Sequence, residues 1–224
     1  MSVFYPSPAA AGKPNLAELR RRYELGTLDE ATLPGDPFAL FRFWLDDAIA
    51  AGLMEVNAMT LATVSADGQP SSRTVLLKGF DERGFSFFTN YHSRKGRELD
   101  GNARAALTIY WKERERQVCL RGTVNRLGRE ESDVYFQSRP YESQIGAWVS
   151  EQSERIPNRA WMENRKRELM EKYPEGSVPL PPNWGGYVLA PHDMEFWQGR
   201  PGRLHDRMLY EKRGEAWVHC RLSP

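Results

Sequence analysis

Only two of the 224 residues are cysteine, Cys119 and Cys220. They stand in no metal-ligand spacing, so neither a zinc site nor a disulfide is expected. No uninterrupted apolar run approaches the roughly 18 residues that a membrane span needs. The opening "MSVFYPSPAAAGKPN" also lacks a charged region followed by an apolar one. The expectation is a cytoplasmic protein with reduced thiols. An excess of one charge is missing too: 31 Lys and Arg against 30 Asp and Glu leave a net +1, which gives little general attraction to nucleic acid or an acidic membrane. There is no Walker-type glycine loop and no Ser nucleophile elbow. No low-complexity linker or repeat divides the chain, so residues 16–224 are expected to form one domain behind a mobile Pro/Ala/Gly-rich segment, residues 1–15.

What the chain does contain is 40% hydrophobic and 12% aromatic residues, enough for a packed core. Residues Leu16 to Leu25 suit a short basic helix. Asp36 is a candidate N-cap with Pro37 at the first helical position, and Leu40, Phe41, Trp44, Leu45 and Ile49 recur at helical spacing before Gly52. The texture then changes to runs rich in Val, Thr, Leu and Phe, punctuated by Asp67-Gly68 and "DERG". Strands are predicted near Met59–Ser65, Ser71–Phe80, Phe85–Thr89, Ala105–Trp111 and Gln117–Leu127. Helices follow at Arg129–Gln137, Tyr141–Val149 and Asn158–Tyr173. After "PLPPNW", strands are predicted near Gly186–Leu189, Met194–Gly199, Arg207–Lys212 and Ala216–Arg221. Strands in hairpins with helices grouped elsewhere indicate an α+β protein on an antiparallel sheet or closed barrel.

Four stretches bear on chemistry. In "SSRTVLLKGF", Arg73 and Lys78 bracket an apolar strand on opposite faces unless a bulge intervenes, so one flat pocket does not easily take both; taken alone they read as the exposed charged ends of a strand. In "FFTNYHSRKGRELDGN", Arg94 and Lys95 open a helix whose dipole disfavours cations there, unless an anion such as phosphate lies between them and the free amides. The alternative is a solvated helix start. In "VYFQSRPYESQIGAW", Tyr135, Arg139 and Ser143 are spaced by four, and Pro140 makes a junction between two helices. Two hydroxyls and a forked guanidinium there suit a second phosphate, or else a capped helix pair with a surface arginine. In "EFWQGRPGRLHDR", strand alternation would place Arg203, His205 and Arg207 on one face, with Trp197 nearby. Either an electron-rich ligand offsets their repulsion, or the segment is an edge strand kept soluble by charge. Three anion sites without a metal set suggest a phosphorylated cofactor and a phosphorylated substrate.

With those stretches in order, the sequence resembles the pyridoxine (pyridoxamine) 5'-phosphate oxidase family. The resemblance runs from "LRRRY" through "LPGDPFALFRFWL", "RTVLLKGF", "FFTNYHSRKGRELD", "ERQV", "YFQSRPYESQIGAWVSEQS", "WGGY" and "EFWQGRPGRLHDR" to "RLSP". It implies a split β-barrel that binds FMN, working as a homodimer with each flavin at the subunit interface. Matched motif to motif, the flavin contacts fall on Arg73, Thr74, Val75, Leu76, Leu77, Lys78, Phe88, Thr89, Arg94, Lys95, Gln117, Gln152, Ser153, Trp197 and Arg207. Substrate contacts fall on Lys78, Tyr135, Arg139 and Ser143 around the phosphate, on Arg203, Leu204 and His205 around the pyridine ring, and on Arg20 and Tyr23, which close over it.

The activity so implied is oxidation of pyridoxamine or pyridoxine 5'-phosphate to pyridoxal 5'-phosphate, with dioxygen reduced to hydrogen peroxide. Arg203 and His205 would be the catalytic pair. Rival readings are a flavin or pyridoxal-phosphate carrier without turnover, a related split-barrel reductase with another substrate, and a basic nucleic-acid-binding module. The first is separable by peroxide release, the second by the Tyr135/Arg139/Ser143 set, the third by salt dependence.

Overall fold

A computed structural model describes Leu19 and residues 21–224. Nine strands form one curled antiparallel sheet: β1 (Ala58–Val64), β2 (Pro70–Leu76), β3 (Gly79–Asp81), β4 (Gly84–Asn90), β5 (Arg104–Trp111), β6 (Arg116–Arg126), β7 (Trp184–Gln198), β8 (Asp206–Arg213) and β9 (Ala216–Leu222). Their order is β2-β1-β5-β6-β7-β4-β3, with β8 on β7 and β9 on β8. Among the described residues five α-helices accompany it: α1 (Pro37–Ala50), α2 (Arg94–Gly101), α3 (Arg129–Gln137), α4 (Tyr141–Val149) and α5 (Arg159–Lys172). The architecture is the split barrel. No helix among the described residues is long and apolar enough to cross a membrane.

Strand β7 joins the two parts of the sheet. It pairs β6 along one edge, while its other edge pairs β4 through Trp184–Leu189 and β8 through Asp193–Gln198. The two short strands predicted here are therefore one long strand. A register shift between Arg121 and Gly122 leaves His192 unpaired, next to Pro191, which has no N–H to donate. At Gly122 a Cβ would meet the Ala190 carbonyl oxygen at 2.1 Å, so only glycine permits that approach.

Helix α1 fills the curl as its capping signals require. Asp36 accepts from the Phe38 amide at 3.0 Å, and Gly52, at φ 68°, follows its end. Phe41 and Trp44 are buried against Phe85 and Phe196, with ring centroids 4.9 and 5.3 Å apart. Burying each such side chain contributes roughly 2–3 kcal/mol. A second apolar cluster, Phe136, Ile145, Val149, Val178, Leu180 and Trp184, joins α3 and α4 to the sheet.

Three local expectations are corrected. Residues 21–25 are not helical; their backbone bonds to the barrel instead. The strand predicted over Ser71–Phe80 breaks after Leu76, because the chain changes partners: β2 pairs β1, and β3 pairs β4. Leu77 turns into the core and Lys78 turns out of it. Finally, Arg203, Leu204 and His205 are not in a strand. Pro201 and Gly202 start a one-turn 3-10 helix, Gly202 and Arg203 take φ of 65° and 63°, and β8 begins only at Asp206. Period-two alternation therefore does not apply to them.

Candidate functional site

A cavity of about 550 Å³ opens between β2, β4, α2 and the α3–α4 junction. It gathers Thr74, Val75, Leu76, Lys78, Phe88, Thr89, Lys95, Tyr135, Arg139, Ser143 and Gln152. Of the residues singled out in the sequence, these eleven share one space. The junction works as the proline requires: α3 ends at Gln137, α4 starts at Tyr141, and Arg139 between them projects inward.

One wall is aromatic. Tyr135 stacks on Phe88 at 3.9 Å, Phe88 stacks on Trp184 at 5.5 Å, and the Arg139 guanidinium lies over Trp184 at 4.7 Å. Lys78 Nζ reaches 5.9 Å from the Tyr135 ring. Burial pushes the Arg139 guanidinium down in pKa. Its Nη1 is buried, and among the described residues nothing accepts from it. An unpartnered buried N–H is expensive, and an anionic group in the cavity would satisfy it.

The opposite end is a cationic cradle. Lys95 is 8% exposed, and its Nζ donates to Gln152 Oε1 at 3.0 Å and Thr89 Oγ1 at 3.2 Å. Burial, then the nearby Arg73, pulls its pKa down to about 8. Neutral oxygens alone hold this ammonium by hydrogen bonds, so an anion fits beside it. Behind it the Glu98 carboxylate accepts from Thr63 Oγ1 at 2.5 Å, Ser71 Oγ at 2.6 Å, Arg94 Nε at 2.9 Å and Arg73 Nη2 at 3.2 Å. Burial opposes its charge, but these bonds outweigh burial and hold the carboxyl down to about 2. Arg73 and Arg94 thus converge on Glu98 rather than on the cavity wall, and Ser153 Oγ accepts from the Arg94 amide at 3.1 Å.

The remaining residues form a separate cluster where β6, β7 and β8 meet. Gln117, Trp197 and Arg207 are register partners across those strands. Trp197 and His205 have centroids 4.7 Å apart, and Tyr23 meets both edge-on at 5.6 and 5.7 Å. His205 Nδ1 accepts from the Arg200 amide at 3.1 Å, which leaves the proton of the neutral ring on Nε2. Burial, then Arg203, lowers its pKa. Arg203 and Leu204 are exposed beside it. Arg207 makes a forked pair with Glu195 at 2.7 and 3.0 Å and donates to the Ser223 carbonyl at 2.8 Å, so its charge is partly spoken for. None of these residues lines the cavity. Leu77 is buried in the core, and Arg20 lies outside the described residues.

Sequence reasoning missed Glu98, Trp184 and Glu115. The first was legible as the residue four after Arg94 on one helix face, and the second stands in "WGGY". Glu115, in the β5–β6 turn, stands first in "ERQV". Among the described residues no group of three or more His, Cys, Asp or Glu could hold a metal ion.

A family described as Pyridoxamine 5'-phosphate oxidase matches residues 45–171, and a Pyridoxine 5'-phosphate oxidase C-terminal dimerisation region matches residues 184–224. A pyridoxine/pyridoxamine 5'-phosphate oxidase from Paraburkholderia phymatum is 57% identical over 210 residues, 93% of this chain and 99% of that protein. One of the same name from Cupriavidus pinatubonensis is 54% identical with the same coverage. Among solved structures, PhzG from Burkholderia lata 383, in complex with tetrahydrophenazine-1-carboxylic acid, superposes with a TM-score of 0.84 at 34% identity, covering 89% of this chain and 99% of that one. A pyridoxamine 5'-phosphate oxidase-related, FMN binding protein from Nostoc punctiforme shares the fold at a TM-score of 0.67 and 19% identity, over 82% of this chain and 97% of that one.

Proposed function

The chain belongs to the pyridoxine/pyridoxamine 5'-phosphate oxidase family of oxidoreductases, and from that premise we propose that it uses FMN to oxidise pyridoxamine 5'-phosphate and pyridoxine 5'-phosphate to pyridoxal 5'-phosphate. The balance is amine, water and dioxygen giving aldehyde, ammonia and hydrogen peroxide; for the alcohol, no water enters and no ammonia leaves. FMN, when bound, supplies a two-electron acceptor that takes a hydride equivalent from C4' and is reoxidised by dioxygen.

The observation that carries this reading is the pairing, in one cavity, of two cations held by no anion: buried Lys95 at one end and half-buried Arg139, with its unsatisfied Nη1, at the other. Lys95, Thr89 and Gln152, with Arg94 and Arg73 held by Glu98, would bind the cofactor phosphate. Lys78, Tyr135, Arg139 and Ser143 would bind the substrate phosphate, through forked and charge-assisted bonds. Phe88, Tyr135 and Trp184 exclude water from that end.

Gln117, Trp197, Arg203, His205 and Arg207 stand outside this cavity, so we assign them to the cavity of a second copy in a homodimer. A C-terminal segment that matches a dimerisation region supports this. So does one face of β1, β2 and β5, where Thr60, Ala62, Thr74, Ala106 and Thr108 are register neighbours that are small and at least partly exposed. Arg203 would press the substrate ring into place, where orientation contributes several kcal/mol. His205, neutral and protonated on Nε2, would donate to the oxygen or nitrogen on C4'. Arg207, tied to Glu195, would offset developing negative charge with what its pair leaves.

The high TM-score to PhzG favours one alternative, a fused-ring carboxylate as substrate. Oxygen consumption by the yellow holoprotein separates the two. It should rise with pyridoxamine 5'-phosphate and not with a tetrahydrophenazine carboxylate; the reverse would transfer the assignment.

A further inference from the structure

Glu115 has no part in the assignment above, yet several elements converge on it. It lies in the turn between β5 and β6, is 2% exposed, and is held at φ 54°, a left-handed conformation that non-glycine residues rarely adopt. Its carboxylate Oε2 accepts from two consecutive amides of the N-terminal segment, Glu24 at 2.8 Å and Leu25 at 3.0 Å. Its carbonyl accepts from the Gly199 amide at 2.7 Å and from Gln198 Nε2 at 3.2 Å. One residue therefore ties residues 24–25 to the end of β7, just before the loop that carries Arg203 and His205.

The consequence falls on Tyr23. Its ring sits on Trp197 and His205, and at Gly199 a Cβ would lie 2.8 Å from Tyr23 Cγ and 3.0 Å from Glu115 Cβ. The seat is thus built from Trp197, Gly199, His205 and Glu115. The next anchors along the segment are the Gly26 carbonyl, which accepts from Arg200 Nη1 at 3.1 Å, and the Leu28 amide, which donates to Asp206 Oδ2 at 3.1 Å. They lie beyond Tyr23 and fix the far end. Arg21, mostly exposed, reaches only within 3.7 Å of Glu115 Oε1, so the carboxylate is engaged chiefly by backbone amides. A glycine would relieve the turn but would leave both amides unbound.

We propose that Glu115 is a positioning residue: its buried carboxylate grips the amides of Glu24 and Leu25, and so seats Tyr23 against Trp197 and His205 at the substrate end of the site. The effect on turnover rests on the function proposed above; the grip itself does not. Glu115 touches neither the cavity nor the cationic cradle, so cofactor retention should be independent of it.

The test uses the full-length holoprotein with Glu115→Gln and Glu115→Ala. Amide hydrogen exchange at Glu24 and Leu25 should be slowed about a hundredfold in the wild type, partly lost in Glu115→Gln, which keeps one acceptor oxygen, and lost in Glu115→Ala. KM for pyridoxamine 5'-phosphate should rise about tenfold in Glu115→Ala, with a smaller fall in kcat and unchanged FMN content. Protection unaffected by either substitution, or FMN lost in step with activity, would overturn the proposal. Should Glu115→Ala not fold, two measurements still decide. Free exchange of both amides in the wild type contradicts the grip. Tyr23→Ala, which removes the ring but neither Glu115 nor the amides it binds, must raise KM while leaving the two amides protected. A protein inactive toward pyridoxamine 5'-phosphate but protected at residues 24 and 25 would overturn the functional reading and leave the grip standing.

Discussion

The Arg139 guanidinium lies 4.7 Å above the Trp184 ring with Nη1 buried and, among the described residues, without an acceptor. A half-buried cation with an unpartnered N–H destabilises the empty protein and is retained for what it binds. Arg139→Met is therefore expected to leave the melting temperature of cofactor-free protein unchanged or higher. KM for either phosphorylated substrate should rise about 10- to 100-fold, the loss of charge-assisted bonds worth roughly 1.5–3 kcal/mol. Thermal melts and steady-state kinetics on one preparation give both signs.

Lys95 makes a pH-dependent prediction. Burial lowers its folded pKa to about 8, against 10.5 for an ordinary lysine. Between those values the unfolded chain binds the extra proton, so the stability of cofactor-free protein should gain a contribution as pH rises through that window. Affinity for FMN should move the other way, weakening above about pH 8 as the ammonium is lost. Fluorescence titration of apoprotein from pH 7 to 10 checks it, and Lys95→Met should remove the dependence.

Glu98 is expected to stabilise the fold across neutral pH. Its carboxyl is depressed from 4.5 to about 2, so the contribution is complete above the ordinary value and disappears as pH falls through about 2. Glu98→Gln leaves Arg73 and Arg94 without their carboxylate and should cost about 3 kcal/mol at pH 7, with a smaller deficit near pH 2. Denaturant unfolding at the two pH values measures the difference.

His205 should act as a neutral donor. Burial and Arg203 keep its pKa below the ordinary histidine value, and the Arg200 amide occupies Nδ1. Protonation would break that bond. The acid limb of kcat/KM should therefore lie below pH 6.5, and in His205→Asn that limb should vanish along with most of the turnover. A pH–rate profile of both proteins decides.

The sheet and helices were legible because their signals are local. Asp36, Pro37 and Gly52 bound α1, and alternating apolar runs mark β1, β4, β5 and β6. The α3–α4 junction was legible from Pro140, and with it the spacing that brings Tyr135, Arg139 and Ser143 to one cavity. What failed was set by partners distant in the chain. Lys78 leaves its strand because β3 pairs β4. Residues 21–25 follow Glu115 rather than helix propensity. Arg203 and His205 obey the turn at Gly202 rather than strand alternation. The Glu195 partner of Arg207 stands 12 residues away on a neighbouring strand, and pairing register alone brings them together.

The most direct measurement is the visible absorption of purified protein, reconstituted with FMN if necessary, mixed with pyridoxamine 5'-phosphate without oxygen. The expected result is a yellow protein whose flavin absorption is bleached on mixing and restored by air, with pyridoxal 5'-phosphate formed in equal amount. Protein that takes up no FMN, or that binds both compounds while its colour persists, would contradict it.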